Sequence, residues 1–155
     1  MRAGPLEVDL APAHGGSIAR FDWVRAQDRR PVMRQGLVDY ADALHSSCFP
    51  LVPFSNRIRD GCFEYGGRVV KLSPNMPADR SPIHGQGWRA AWVPVSADER
   101  SAVLAFEHES GEWPWRDRAQ LRFTLDEASL DVALSCRNLS DHAMPEVLRW
   151  SLRLS

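Results

Sequence analysis

The stretch CFPLVPFSNRIRDGCFEYGGRVVKL, residues 48–72, is dense in structural punctuation. Asp60-Gly61 and Gly66-Gly67 are both two-residue hairpin signals, since such turns need a left-handed backbone that glycine and Asx residues tolerate. Around them stand Phe63, Tyr65, Val69 and Val70, residue types that fit a pleated, half-buried surface. The spacing predicts a three-strand meander over 56–59, 62–65 and 68–72. With 56–59 as a strand, Arg57 and Arg59 share one face and Asn56 and Ile58 the other.

Working outward toward the N-terminus, Leu6, Val8 and Leu10 alternate with Glu7 and Asp9, the pattern of a half-buried strand. Gly15-Gly16 breaks the chain before a second strand over 17–24, and 31–35 reads as a short third. Residues 40–47 (YADALHSS) have the length of one helical turn, too little for a scaffold helix. Toward the C-terminus, 73–87 holds three prolines and two glycines and reads as a long loop. A strand over 88–95 follows, with Pro94 marking an edge or an end, and then another over 102–108. Leu121, Phe123 and Leu125 face one way, 126–129 turn, and Leu130, Val132, Leu134 and Cys136 return. No segment keeps helical periodicity over three turns, and no repeat or linker divides the chain. One all-β domain spanning 1–155 is expected.

Composition removes several function classes. At 155 residues, 44% hydrophobic and 25% charged, the chain has the make-up of a folded domain rather than a disordered one. Its 19 basic and 20 acidic residues leave a net charge of −1, with no basic excess to track nucleic acid. Cys48, Cys62 and Cys136 form no CxxC pair and read as reduced thiols of a cytoplasmic protein. The first residues, MRAGPLEVD, lack the apolar stretch of a signal peptide, and no apolar run reaches the ~20 residues of a membrane span. A soluble protein with no membrane or nucleic-acid partner is the expectation.

Three places have the residue types for chemistry. Asn56 and Arg57 could reach the hydroxyls of a polar ligand with an amide and a planar fork of donors, or simply belong to a solvated strand face. His84 sits in PIHGQGW (82–88), where glycines permit close backbone approach to a ligand and Trp88 could stack on a sugar ring; plain exposure is the other reading. In the run 108–115, HESGEWPW, Trp113 and Trp115 either pin a turn or line a pocket. Glu107 and Glu109 are neighbours on one strand, whereas a glycosidase pair faces across its substrate. His14, His45, His84, His108 and His142 show no metal-ligand spacing, and phosphate-binding and nucleophile-elbow motifs are missing. No metal and no cofactor is expected.

The run 48–72 resembles the signature region of the aldose 1-epimerase family, the galactose-mutarotase-like proteins. Ordered matches extend the likeness from about Leu6 to Pro145: Gly15-Gly16, PIHGQGWR at 82–89, EWPW at 112–115, Asn138-Leu139-Ser140 and Met144-Pro145. The resemblance implies the N-terminal portion of a galactose-mutarotase-like β-supersandwich. It implies interconversion of the α and β anomers of an aldohexose by ring opening, with a histidine acid and a late glutamate base. It makes Asn56, Arg57 and His84 substrate-binding residues, with Trp113 and Trp115 as further pocket-lining candidates. The likeness breaks at 146–155, EVLRWSLRLS, where the family's His-Pro step would fall near Ser151-Leu152. The expectation is therefore a truncated form without the catalytic acid and base, inactive, and able to self-associate through an uncovered sheet. The rival is a non-catalytic carbohydrate-binding or interaction protein.

Overall fold

The alternating segments near residue 125 form the regular heart of the molecule. In the computed structural model, which describes residues 1–36 and 43–152, they pair register by register from Leu125↔Leu130 to Asp117↔Asn138. The intervening turn is held by Asp126, whose carboxylate accepts hydrogen bonds from the Ala128 N–H (2.7 Å), the Ser129 N–H (2.6 Å) and the Ser129 hydroxyl (3.0 Å). A short acidic side chain that caps its own turn fixes strand register locally.

Twelve strands are described: β1 (Arg2–Ala3), β2 (Leu6–Ala11), β3 (Ser17–Arg25), β4 (Asp28–Pro31), β5 (Cys48–Leu51), β6 (Cys62–Tyr65), β7 (Arg68–Lys71), β8 (Val93–Ala97), β9 (Ser101–His108), β10 (Asp117–Leu125), β11 (Leu130–Asn138) and β12 (Arg149–Leu152). One sheet has the order β1-β2-β3-β5-β12, with β4 also on β3; a second runs β11-β10-β9-β8; β6 and β7 form a separate hairpin. Alternation along the strands sends one face of each sheet inward, and a shared core results. Val8, Ile18 and Phe21 from the first sheet meet Leu104, Phe106, Leu121 and Phe123 from the second, with Trp92 against Phe106 at 5.6 Å. On β11, Leu130, Val132, Leu134 and Cys136 turn toward this core but stay only partly buried.

Four expectations change. The meander has two strands rather than three, because Asn56 (φ 67°) and Asp60 (φ 53°) take left-handed conformations that no strand can continue. Residues 59–61 form a 3-10 turn, and Arg57 pairs across to Ile83 in an isolated bridge. The shared-face argument for Arg57 and Arg59 lapses with the strand. The strand expected over 88–95 starts only at Val93, since Gly87–Arg89 is a 3-10 turn, and β8 is indeed an edge strand with a register shift at Pro94. The short third strand lies at Asp28–Pro31, where the antiparallel return onto β3 begins earlier than 31–35. Of the turn expected over 40–47, residues 40–42 lie outside the described residues, and Ala43–His45 is a 3-10 turn.

Candidate functional site

Two loop segments, one on each side of the long proline-rich stretch, cross and bind each other. The Ile58 N–H donates to the Pro82 carbonyl (3.0 Å), the His84 N–H to the Asn56 carbonyl (3.1 Å) and the Gly87 N–H to the Val52 carbonyl (3.1 Å). Gly85 lies tight against the other segment. A Cβ there would lie 2.3 Å from the Val52 carbonyl oxygen, and its φ is 68°, so a side chain is excluded by both space and backbone.

This crossing brings Asn56, Arg57 and His84 together. The Asn56 N–H donates to Nδ1 of His84 at 2.9 Å. An imidazole nitrogen that accepts is unprotonated, so the proton of the neutral ring sits on Nε2. Burial lowers the pKa of His84, and the neighbouring Arg57 charge lowers it further, which keeps the ring neutral near pH 7. Asn56 and His84, hydrogen-bonded to each other, both have positive φ (67° and 65°). Left-handed backbone is unfavourable for residues with a Cβ, by roughly 1–2 kcal/mol each in general, less for asparagine, so the crossing is held against local preference.

Arg57 is oriented from the loop. Its Nε donates to Asp79 Oδ2 at 2.7 Å, and Asp79 Oδ1 accepts the Ser81 N–H at 3.0 Å. The Ser81 N–H and then Arg57 hold the Asp79 carboxyl below the usual carboxylate range. The Arg57 side chain is 56% exposed, and among the described residues its hydrogen bond is made through Nε. Asn75 fixes the loop behind: its Nδ2 donates to the Ile83 carbonyl (2.7 Å) and its Oδ1 accepts the Ile83 N–H (2.8 Å). Asp79 and Asn75 are absent from the sequence reading. Asp79-Arg80-Ser81 had the form of an Asx turn, but its partner Arg57 lies 22 positions away.

The tryptophans sit elsewhere. Trp113 and Trp115 are 1% and 4% exposed, with ring centroids 4.8 Å apart. Phe54 packs on Trp113 at 5.5 Å, and Phe63 and Tyr65 of β6 lie 6.4 and 5.7 Å from Trp115. The Trp-Pro-Trp run thus pins its turn to the β6–β7 hairpin. Trp113 also borders an apolar cleft of about 170 Å³ with Phe54, Ile58 and Phe63, but offers no open indole face. Trp88 is buried as well, and its Nε1 donates to the Ile83 carbonyl at 3.1 Å. Glu107 and Glu109 pair with Arg118 and Arg116 on the surface.

An antiparallel all-β architecture of this kind is that of the galactose-mutarotase-like proteins. A galactose mutarotase-like protein from Clostridium acetobutylicum superposes with a TM-score of 0.79 at 21% identity, covering 97% of this chain and 48% of that one. An Escherichia coli K12 protein described as a candidate aldose 1-epimerase superposes with a TM-score of 0.86 at 35% identity, covering 97% and 49%. In sequence, the uncharacterized E. coli K12 protein YphB is 36% identical over 147 residues, 95% of this chain and 48% of the relative. The family model for aldose 1-epimerase matches residues 8–147. The chain belongs to the aldose 1-epimerase family. It spans about half the length of YphB and 32% of YihR, a second E. coli relative at 28% identity.

Proposed function

We propose that this chain is the sugar-gripping unit of an aldose 1-epimerase-type protein, and that Asn56, Arg57 and His84 are its aldohexose contacts. The single observation that carries this is the crossing itself: residues 28 positions apart are hydrogen-bonded into one polar cluster, with strained backbone at both Asn56 and His84. The terminal amino groups of the half-exposed Arg57 suit vicinal sugar hydroxyls. His84, neutral and protonated on Nε2, donates one hydrogen bond to a hydroxyl or ring oxygen. Residues 1–155 form one incomplete β-sandwich domain of a soluble, cytoplasmic protein whose partner is a small sugar, and neither nucleic acid nor membrane enters its work. The exposed edge strand β8, with Val93 and Val95 66% and 55% exposed, is where copies would self-associate.

Anomer interconversion opens the ring, so a base must take the anomeric hydroxyl proton while an acid protonates the ring oxygen. The cluster is ill-suited to either role. Neutral imidazole is a far weaker acid than imidazolium, and Asp79, held ionised by Ser81 and Arg57, is a weak base. The 155 residues by themselves therefore bind an aldose without accelerating its mutarotation, which leaves them a carbohydrate-binding rather than a catalytic unit.

Polarimetry of freshly dissolved α-glucose or α-galactose tests this. The expected result is a mutarotation rate equal to the buffer control at protein concentrations where binding is measurable. A rate clearly above it, abolished in His84→Ala, would make His84 catalytic and overturn the assignment of roles.

A further inference from the structure

The four-stranded sheet ends on two unlike edges. β8 is short and loses register at Pro94, so it offers apolar contact but no continuous ladder. β11 is the opposite edge. It runs nine residues in unbroken register with β10, holds neither proline nor lysine, and has no strand on its far side among the described residues. An edge of this kind keeps a free row of N–H and C=O groups that can template another strand.

Both faces of β11 are unfinished. On the core side Val132, Leu134 and Cys136 are only partly buried, whereas Phe123, Leu121 and Ala119, their partners on β10, are fully buried. On the outer side Asp131, Ala133, Ser135 and Arg137 are exposed. Arg137 stands directly opposite Arg118, which pairs instead with Glu107 at 3.4 Å. Like charges in opposite positions destabilise a sheet, and no carboxylate pairs with Arg137 among the described residues. The Asp131 carboxylate has one contact among them, the Ser129 hydroxyl at 3.5 Å.

We propose that β11 is the interface of a two-fold dimer, in which a second copy of this chain adds its own β11 as an antiparallel strand. Side chains alternate with period two, so the apolar rows of both copies share a face only in every second register. One of these is centred on Leu134 against itself. It sets Asp131 opposite the second copy's Arg137, and Arg137 opposite the second copy's Asp131. On the core side Val132 meets Cys136, and on the outer side the small Ala133 and Ser135 face each other. The neighbouring registers of the same parity leave both charges opposite uncharged residues, so the charges select this one. Pairing of a patch with itself closes at two copies and joins the two four-stranded sheets into one. This contact is separate from the β8 edge and independent of the aldose site.

Sedimentation velocity over a concentration series tests it, in a Val95→Lys background that removes the exposed apolar contact of β8. The expected result is a monomer–dimer equilibrium that weakens with added salt. Asp131→Arg and Arg137→Asp should each weaken it roughly tenfold, because each turns two attractive pairs into two repulsive ones. Mixing these two single variants should restore the parent affinity, since the heterodimer pairs Arg with Asp at both positions. The double variant should recover it as a homodimer. A chain that stays monomeric at millimolar concentration in the Val95→Lys background overturns the proposal. So do single variants that dimerise like the parent, or that are not rescued on mixing.

Discussion

The β10–β11 hairpin and the crossing at His84 are stabilised in opposite ways. In the hairpin every register pair is local, the turn caps itself through Asp126, and β10 buries alternate residues. In the crossing, hydrogen bonds join residues 22 to 35 positions apart, and two of the three site residues have positive φ. The hairpin draws its stability from apolar burial, which tolerates little change in volume. The crossing is a polar assembly of loop residues outside that hairpin. Its geometry is costly locally and so depends on the scaffold for support. Substitutions in the two regions should therefore separate: those in the hairpin affect folding, and those in the crossing affect ligand.

The largest effect belongs to the hairpin. Phe123 is fully buried and meets Trp150 edge-on at 6.3 Å. Phe123→Ala should cost about 3–5 kcal/mol in denaturant unfolding, mostly from lost transfer energy and a residual cavity. A loss under about 1 kcal/mol would mean that the core between the two sheets is not formed as described.

Asp117, at the start of the same strand, should give the next largest. It is fully buried, one carboxylate oxygen has no donor among the described residues, and burial pushes its pKa up to about 6. A folded-state pKa raised above the ordinary value of 3.8 means that the native state holds its proton longer than the unfolded chain. The stabilising contribution is present below about pH 4 and lost as pH rises through 6. Asp117→Asn should therefore be more stable than the parent at pH 7.5, by roughly 2–3 kcal/mol, and nearly equal to it at pH 4. A pH-independent difference would contradict the buried carboxyl.

In the crossing, stability effects shrink. The Arg57–Asp79 pair is partly exposed, so Asp79→Ala should cost no more than about 1 kcal/mol of stability. It should nevertheless weaken sugar binding several-fold, because Arg57 loses the group that holds its Nε edge. Unchanged affinity would remove Asp79 as a positioning residue. The smallest signal is the His84 titration. Its NMR midpoint should lie below the ordinary histidine value of about 6.5, and Arg57→Ala should raise it. A midpoint at or above that value would place the ring away from Arg57 or in open solvent.

The same contrast governs what could be read from sequence. Period-two alternation over 121–136 and 102–108 states its own strand identity, because each residue's face depends on its neighbours two away. The Gly66-Gly67 turn was equally legible. Around Asn56 the same method fails. Arg57 and Arg59 look like alternate strand positions, yet left-handed Asn56 and Asp60 redirect the chain, and the partner that decides this, His84, is remote. Asp79 and Asn75 act through contacts that no local pattern encodes, and Trp113 and Trp115 gave no sign of which face the hairpin would cover. The family resemblance supplied Asn56, Arg57 and His84 as a set where the residues alone left their alternatives open.

The central claim is that Arg57, held between Asp79 and the His84 turn, grips an aldose. Saturation-transfer NMR with galactose or glucose tests it most directly, using Arg57→Ala beside Arg25→Ala, an exposed arginine at the far end of β3. The account predicts a clear transfer signal in the parent, kept in Arg25→Ala and lost in Arg57→Ala. Equal signals in the two variants would contradict it.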